Sequence, residues 1–305
     1  MLLLEWLIRE YPTAKRQTLR RMVQEGRVSI NGQPARSLKA AVGQKDEVRV
    51  MRREAPPPPS VEPLAVVHED EDVLVVVKPA GLLTSTVARE RRPTAFGIVR
   101  QYVEKREPSA RVGIVHRLDR DASGLLVFSK NHLAHRSLKA QFFEHSVQRV
   151  YTAIVRGHPR PEKGKVESSL VELPDGSVRS SLGPTAQEAV TEYEVVREAG
   201  DFSVLRLTLQ TGRKHQIRVH LSERAWPVVG DPVYGKGGAA KMRQKPETAA
   251  GGRLMLAATL LAFTHPRTGQ RQVFETPVPP EFEEFLAAAV NPGSGPGPAG
   301  SAGTG

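Results

Sequence analysis

The sequence contains no cysteine. Disulfides, thiol nucleophiles and thiolate zinc sites are therefore excluded, and the absence fits a reducing compartment. No apolar stretch approaches the ~20 residues that a bilayer span needs. The opening MLLLEWLIRE has no basic segment ahead of its apolar run and meets Glu5 and Arg9 early, so no secretory signal and a cytoplasmic location are expected. Acidic charge is short: 33 Asp/Glu face 44 Lys/Arg, a net of +11. A surplus of that size points to nucleic acid more often than to an anionic membrane.

Two further absences concern ligands. A glycine-rich phosphate cradle is missing, because VVKPAG has the wrong glycine spacing. Metal sets are missing too: His132 and His135 have no cysteine or carboxylate set to complete a site, and His215 and His220 are i, i+5, which on a helix sends the rings apart. Neither a metal nor a cofactor is expected. No internal repeat is present.

What remains is an ordinary globular composition, 39% hydrophobic and 25% charged over 305 residues, which suits one large domain or two unequal ones. APPPPS, Ala55 to Ser60, divides the chain, since four prolines continue neither a helix nor a central strand. The expected organisation is an N-terminal module at 1–54, a linker at 55–60, a catalytic-size domain at 61–290 and a disordered tail at 291–305 that has no large apolar residue. Charge follows the same division. Residues 1–54 hold 12 Lys/Arg against 6 Asp/Glu, so +6 of the chain's +11 sits there.

In the N-terminal part, Leu3, Leu7 and Ile8 mark one amphipathic helix, and Thr13 can cap a second that ends at Gly26. Leu19, Met22 and Val23 give that second helix a core face, while Lys15, Arg16, Arg20 and Arg21 make it cationic. Asn31-Gly32 after Val28 and Ile30 signals a hairpin, and DEVRV a further strand. A basic helix face of this kind either tracks a phosphate backbone or is simply solvated.

The larger part mixes strands (VLVVVKPAG, GLLVFSK, QRVYTAIVRG, VTEYEVV, VLRLTLQTG, and a pair within LLAFTHPRTGQRQVF) with helices at NHLAHRSLKAQFFEHS and RKHQIRVHLSER. Without regular βαβ alternation the expected class is α+β, with a mixed, mainly antiparallel sheet and a small N-terminal α/β module.

HRLDRDASG, residues 116–124, places Asp119 between Arg117 and Arg120. Surface ion pairing, metal ligation and a carboxylate held for chemistry on a polyanion are the three readings. The second basic stretch, TGRKHQIRVHL, favours the last. Ile217 and Leu221, i and i+4, would face the core, and Arg218 would then reach a cleft where Asp119 is a candidate partner. Such a pair suits a reaction that develops positive charge at a sugar carbon. It suits two-carboxylate hydrolysis badly, because no second acid is evident nearby.

HRLDRDASGLLVFSK resembles the H-R-L-D signature of the RluA-type pseudouridine synthases. VVVKPAGLL resembles that family's opening motif, QRVYTAIVRG its tyrosine motif and TGRKHQIRVH its C-terminal basic motif; VVGDPVYG and LAFTHPRTG match as well, so the likeness runs through 61–290 in order. Residues 2–50 resemble the alpha-L RNA-binding module. The resemblance implies a pseudouridine synthase fold and the isomerisation of uridine to pseudouridine without a cofactor. Its implied partner is RNA, with 23S-type ribosomal RNA or a precursor particle expected and no membrane, and a monomer is expected. It makes Asp119 the catalytic aspartate and Tyr151 the residue packed on the target uracil, also a candidate for proton removal from C5. Arg218 becomes the partner of Asp119, Ile217 the apolar neighbour of the base, and Arg117 a contact to the flipped nucleotide. Two departures stand out: Ala122 replaces a usual Thr or Ser, and Arg149 a usual Lys. A non-catalytic ribosome-assembly factor and a tRNA-directed synthase are the competing readings. Deleting residues 1–54 should weaken RNA binding and flatten its salt dependence; unchanged affinity across a salt series in filter binding refutes this.

Overall fold

The computed structural model describes residues 1–12, 14, 16–24, 26–43, 45–51, 61–85, 92–235 and 252–290. The expected cap Thr13, the basic Lys15, the linker at 55–60 and the tail at 291–305 lie outside them. The chain forms two compact units, Met1–Pro58 and Pro59–Gly305. Among the described residues no helix is long and apolar enough to cross a membrane.

The first unit contains α1 (Leu3–Glu10), α2 (Arg16–Gln24), β1 (Val28–Ile30), β2 (Gln33–Pro34) and β3 (Val48–Val50). Its core is Leu3, Leu7, Leu19, Met22, Val23, Val28, Ala35 and Val42, the helical stripes meeting a small antiparallel sheet in the order β2-β1-β3. Ile8 is not part of it: it is 38% exposed, one position round the helix from Leu7. Asn31 and Gly32 both take positive φ, 50° and 80°, which a tight hairpin between right-twisted strands requires. Arg16, Arg20 and Arg21 lie exposed on α2, away from its buried stripe.

The second unit runs β4 (Ala65–Glu69), β5 (Val73–Lys78), α3 (Ala95–Arg106), β6 (Gly113–Ile114), β7 (Ser123–Ser129), α4 (His132–Phe143), β8 (Gln148–Arg156), β9 (Lys163–Glu172), β10 (Val178–Ser180), β11 (Gln187–Ala199), β12 (Phe202–Leu209), α5 (Gln216–Glu223), β13 (Leu256–Thr264), β14 (Arg271–Glu275) and α6 (Pro280–Val290). The sheet order is β10-β9-β11-β12-β8-β13-β7-β5-β4, with β14 on β13 and β6 on β7. Among the described residues all strand pairs of this sheet are antiparallel except β13 with β7. The class is therefore α+β with a mixed, mainly antiparallel sheet. α5 is shorter than the basic stretch suggested, because Thr211 to His215 form a turn rather than helix.

β5 and β7 read as continuous apolar runs because helices cover both faces. Leu74, Val76, Leu126 and Phe128 pack with Ala95, Val99 and Val103 of α3. Val73, Val75, Leu125 and Val127 pack with Ala134 and Leu138 of α4 on the opposite face. α6 buries Phe282, Phe285 and Leu286 against Ile154, Met255 and Ala257.

Register then aligns one row of residues across five strands: Lys78 pairs with Gly124, Gly124 with Ala258, Ala258 with Tyr151, and Tyr151 with Leu207. Gly124 is required in that row. Its φ is +114°, and a Cβ would collide with the carbonyl oxygen and amide nitrogen of Ala258. Gly124→Ala should cost about 2–3 kcal/mol through the clash and the strained backbone; chemical denaturation of the variant against wild type measures it.

Candidate active site

The loop that carries Asp119 lies between β6 and β7 and is pinned on both sides of that residue. Before it, the Thr84 hydroxyl donates to the Leu118 carbonyl at 2.8 Å and accepts the Leu118 amide at 3.1 Å. After it, the Arg120 carbonyl accepts from the Gly81 amide and from Lys78 Nζ, each at 2.9 Å. Lys78 is fully buried and also donates to the carbonyls of Pro79 and Leu82. Burial pulls its ammonium down to about 8, against the raising influence of Asp121 and Asp119. The turn after β5 thus acts as the seat of the loop. Thr84 supplies a buried hydroxyl beside the loop, although position 122 is an alanine. His116 packs rather than reacts: Nε2 accepts the Val127 amide, the ring stacks on Phe142 at 4.6 Å, and burial lowers its pKa to about 3.

Arg218, on α5, donates through Nη1 to Asp119 Oδ2 at 3.2 Å. Its stronger partner is Asp231, which Nε and Nη2 grip bidentately at 2.7 and 2.8 Å. The expectation of a single pair, with no second acid nearby, is corrected by this geometry. Asp231 is that acid, and its side chain is 0% exposed against 14% for Asp119. Burial would lower the Arg218 pKa, but Asp231 and then Asp119 outweigh it and raise it. Burial would likewise raise Asp231, but Arg218 and the Tyr234 and Val233 amides hold it below the usual carboxylate range. The ring of Tyr234 lies 5.1 Å from the guanidinium carbon, closing the other side. Asp119 is left with Oδ1 unpartnered among the described residues.

A cavity of about 520 Å³ opens above this pair, and Arg117, Asp119, Tyr151, Ile217 and Arg218 all line it. Tyr151 is 7% exposed, and its hydroxyl has no hydrogen-bond partner among the described residues. Its pKa is raised by burial and by Asp119, with Arg149 opposing, so the phenol stays protonated at neutral pH. Arg149 is itself buried and donates to the Thr211 carbonyl at 3.2 Å, beside Gly212. Lys139, Arg213 and Lys214 add positive charge to the wall. An anion carrying a flat apolar ring fits such a space: the ring between Tyr151 and Ile217, the charge on the basic wall.

Lys78, Thr84, His215, Asp231 and Tyr234 were absent from the sequence-derived set. The signal for Asp231 and Tyr234 was present in VVGDPVYG, but an aspartate ahead of a proline reads as a turn residue until its partner is known. Of the basic set on the first unit, Arg16, Arg20 and Arg21 belong to a separate compact unit. Away from the cavity, Asp70, Asp72 and His265 bring ligand-type atoms within 4.8 Å of one another. Protein donors already engage them: Arg267 grips Asp72 at 2.6 and 2.8 Å, and Asp70 Oδ2 faces His68 and His265.

Removing one charge of a buried pair strands the other. Asp231→Asn should therefore destabilise the protein by about 3–5 kcal/mol and lower activity, because Arg218 then has only Asp119 to pair with. Denaturant unfolding of the variant tests this, and an unchanged midpoint refutes it.

The profile of the RNA pseudouridylate synthase family matches residues 72–223. An uncharacterized RNA pseudouridine synthase of Aquifex aeolicus is 31% identical over 93% of this chain and 92% of its own. The ribosomal large subunit pseudouridine synthase D of Neisseria meningitidis is 34% identical, over 90% of this chain and 75% of its own. The fold is shared with the human protein RNA Pseudouridylate Synthase Domain Containing 4, with a TM-score of 0.62 at 22% identity, covering 74% of this chain and 92% of that one. With matches of this extent the chain belongs to the RNA pseudouridylate synthase family, as a pseudouridine synthase of the RluA type.

Proposed function

We propose that this protein converts uridine to pseudouridine in large-subunit ribosomal RNA, with Asp119 as the catalytic carboxylate. The observation that carries the reading is the 3.2 Å contact between Asp119 and Arg218 in a cavity also lined by Tyr151 and Ile217. The RNA class is supported by the Neisseria relative, which is named for the large ribosomal subunit.

In this reading the target nucleotide leaves its stack, at a cost of a few kcal/mol, and its base enters the cavity. Tyr151 stacks on the uracil and Ile217 covers its apolar edge. Arg117, exposed and without an ion-pair partner among the described residues, contacts the distorted backbone. The C1′–N1 bond breaks, the base turns, and C1′ rejoins at C5 as the C5 proton departs. Nothing is consumed. Attack on the base, attack on C1′ and removal of a ribose proton are three possible first steps, and each would use the unpartnered Oδ1 of Asp119. Arg218 stabilises the negative charge of that carboxylate while Asp231 fixes the guanidinium. The first unit, with the arginines of α2 exposed, would hold the RNA through its phosphates.

Release of tritium from RNA labelled at uridine C5 tests the assignment. Wild type should release label, and Asp119→Asn should be slower by more than about a hundredfold. Equal release by both proteins removes Asp119 from the chemistry. Tight RNA binding by a wild type that releases nothing would favour a non-catalytic RNA-binding role.

A further inference from the structure

His215 lies at the start of α5 in the left-handed region, φ 54° and ψ 15°, and its side chain does not cap the helix. Left-handed backbone is uncommon outside glycine and persists where the surroundings impose it. The Gln216 side chain closes the turn ahead of the helix, its Oε1 accepting the Arg213 amide at 3.0 Å and the Thr211 hydroxyl at 2.8 Å. The imidazole lines the cavity that holds Asp119.

The hydrogen bonds around it define its protonation. His215 Nδ1 lies 2.8 Å from the Tyr234 hydroxyl. That hydroxyl already accepts the Val178 amide at 2.8 Å, a group that can only donate. With one lone pair of the phenol engaged, its proton is assigned to Nδ1, the acceptor in reach among the described residues. This assignment leaves Nδ1 bare and the proton of the neutral ring on Nε2, which has no partner among the described residues. Burial lowers the pKa of this histidine, with Arg218 and Lys214 acting in the same direction and Asp119 and Asp231 opposing, so the ring is neutral near pH 7.

From this arrangement we infer that His215 is a base-recognition residue, whose Nε2–H donates to a carbonyl oxygen of the pyrimidine bound beside Asp119. The inference rests on the isomerase reading above. A protonated Nε2 cannot serve as a base for C5. Phosphate groups have the cations Arg117, Arg213 and Lys214 on the same wall, whereas a neutral donor near Asp119 and Arg218 meets the base. Tyr234 is the positioning residue: its hydroxyl sets the tautomer, its ring faces Arg218, and its amide donates to Asp231.

Single-turnover conversion of RNA carrying uridine, 2-thiouridine or 4-thiouridine at the target tests this, with product read by nucleoside chromatography. Sulfur is the weaker acceptor, so wild type should lose roughly tenfold on the RNA whose contacted carbonyl is replaced. His215→Ala should lose about the same on uridine RNA and nothing further on that thio-RNA, while the other thio-RNA affects both proteins alike. Tyr234→Phe should show part of the loss with the same atom dependence, which a general structural defect would not. His215→Asn, which tolerates the left-handed backbone and keeps an N–H donor, should retain sensitivity to the contacted carbonyl and stands in if the alanine variant fails to fold. An equal thio-penalty in wild type and His215→Ala, or its loss in His215→Asn, overturns the inference. A wild type inactive even on uridine RNA overturns the isomerase reading beneath it.

Discussion

A guanidinium taken out of water needs nearly all of its donors satisfied, and at Arg218 two carboxylates share that task. The division is unequal. Asp231 takes the two-point grip and is wholly enclosed, so most of the stabilisation of the buried cation comes from it. Asp119 contributes one contact and keeps an oxygen unpartnered among the described residues. Had the bidentate grip fallen to Asp119, both of its oxygens would be engaged by the protein and neither would be available to a ligand. The centre therefore separates the group that anchors the cation from the group that faces the cavity.

The same logic extends outward from the pair. The Thr84 hydroxyl and the Lys78 ammonium act on backbone atoms on either side of Asp119, leaving its side chain to Arg218. Tyr234 touches three members of the centre at once, through its ring, its amide and its hydroxyl. These residues come from the turn after β5, the loop before β7 and the segment after α5, and the sheet holds the three at fixed separations.

Much of this is legible in the sequence. Apolar runs in VLVVVKPAG and GLLVFSK signalled strands, and Asn31-Gly32 signalled a hairpin, because each rests on local stereochemistry. β9 and β10 were not legible: KGKVESSLVE is polar, and its place is fixed by pairing with β11 rather than by its own pattern. α3 was obscured by Gly97 and its β-branched residues. At the site, residue types in motifs suggested Asp119, Tyr151, Ile217 and Arg218. The partition of Arg218 between two acids is a matter of angles between distant segments, which residue order does not encode. The setting of His215 was hidden for the same reason: it is built by Val178 and Tyr234, on separate segments to either side in the chain.

The row Lys78–Gly124–Ala258–Tyr151–Leu207 has a bearing on how the protein is made. Its middle member belongs to β13, which enters the sheet between two strands synthesised more than a hundred residues earlier. A nascent chain that has emerged only as far as α5 has already exposed every residue that lines the cavity except Leu256. It still lacks the strand that sets the Asp119 loop and Tyr151 at their working separation. The cavity thus takes its final form only once β13 has paired with both of its neighbours, so residues already present depend for their arrangement on a strand made well after them.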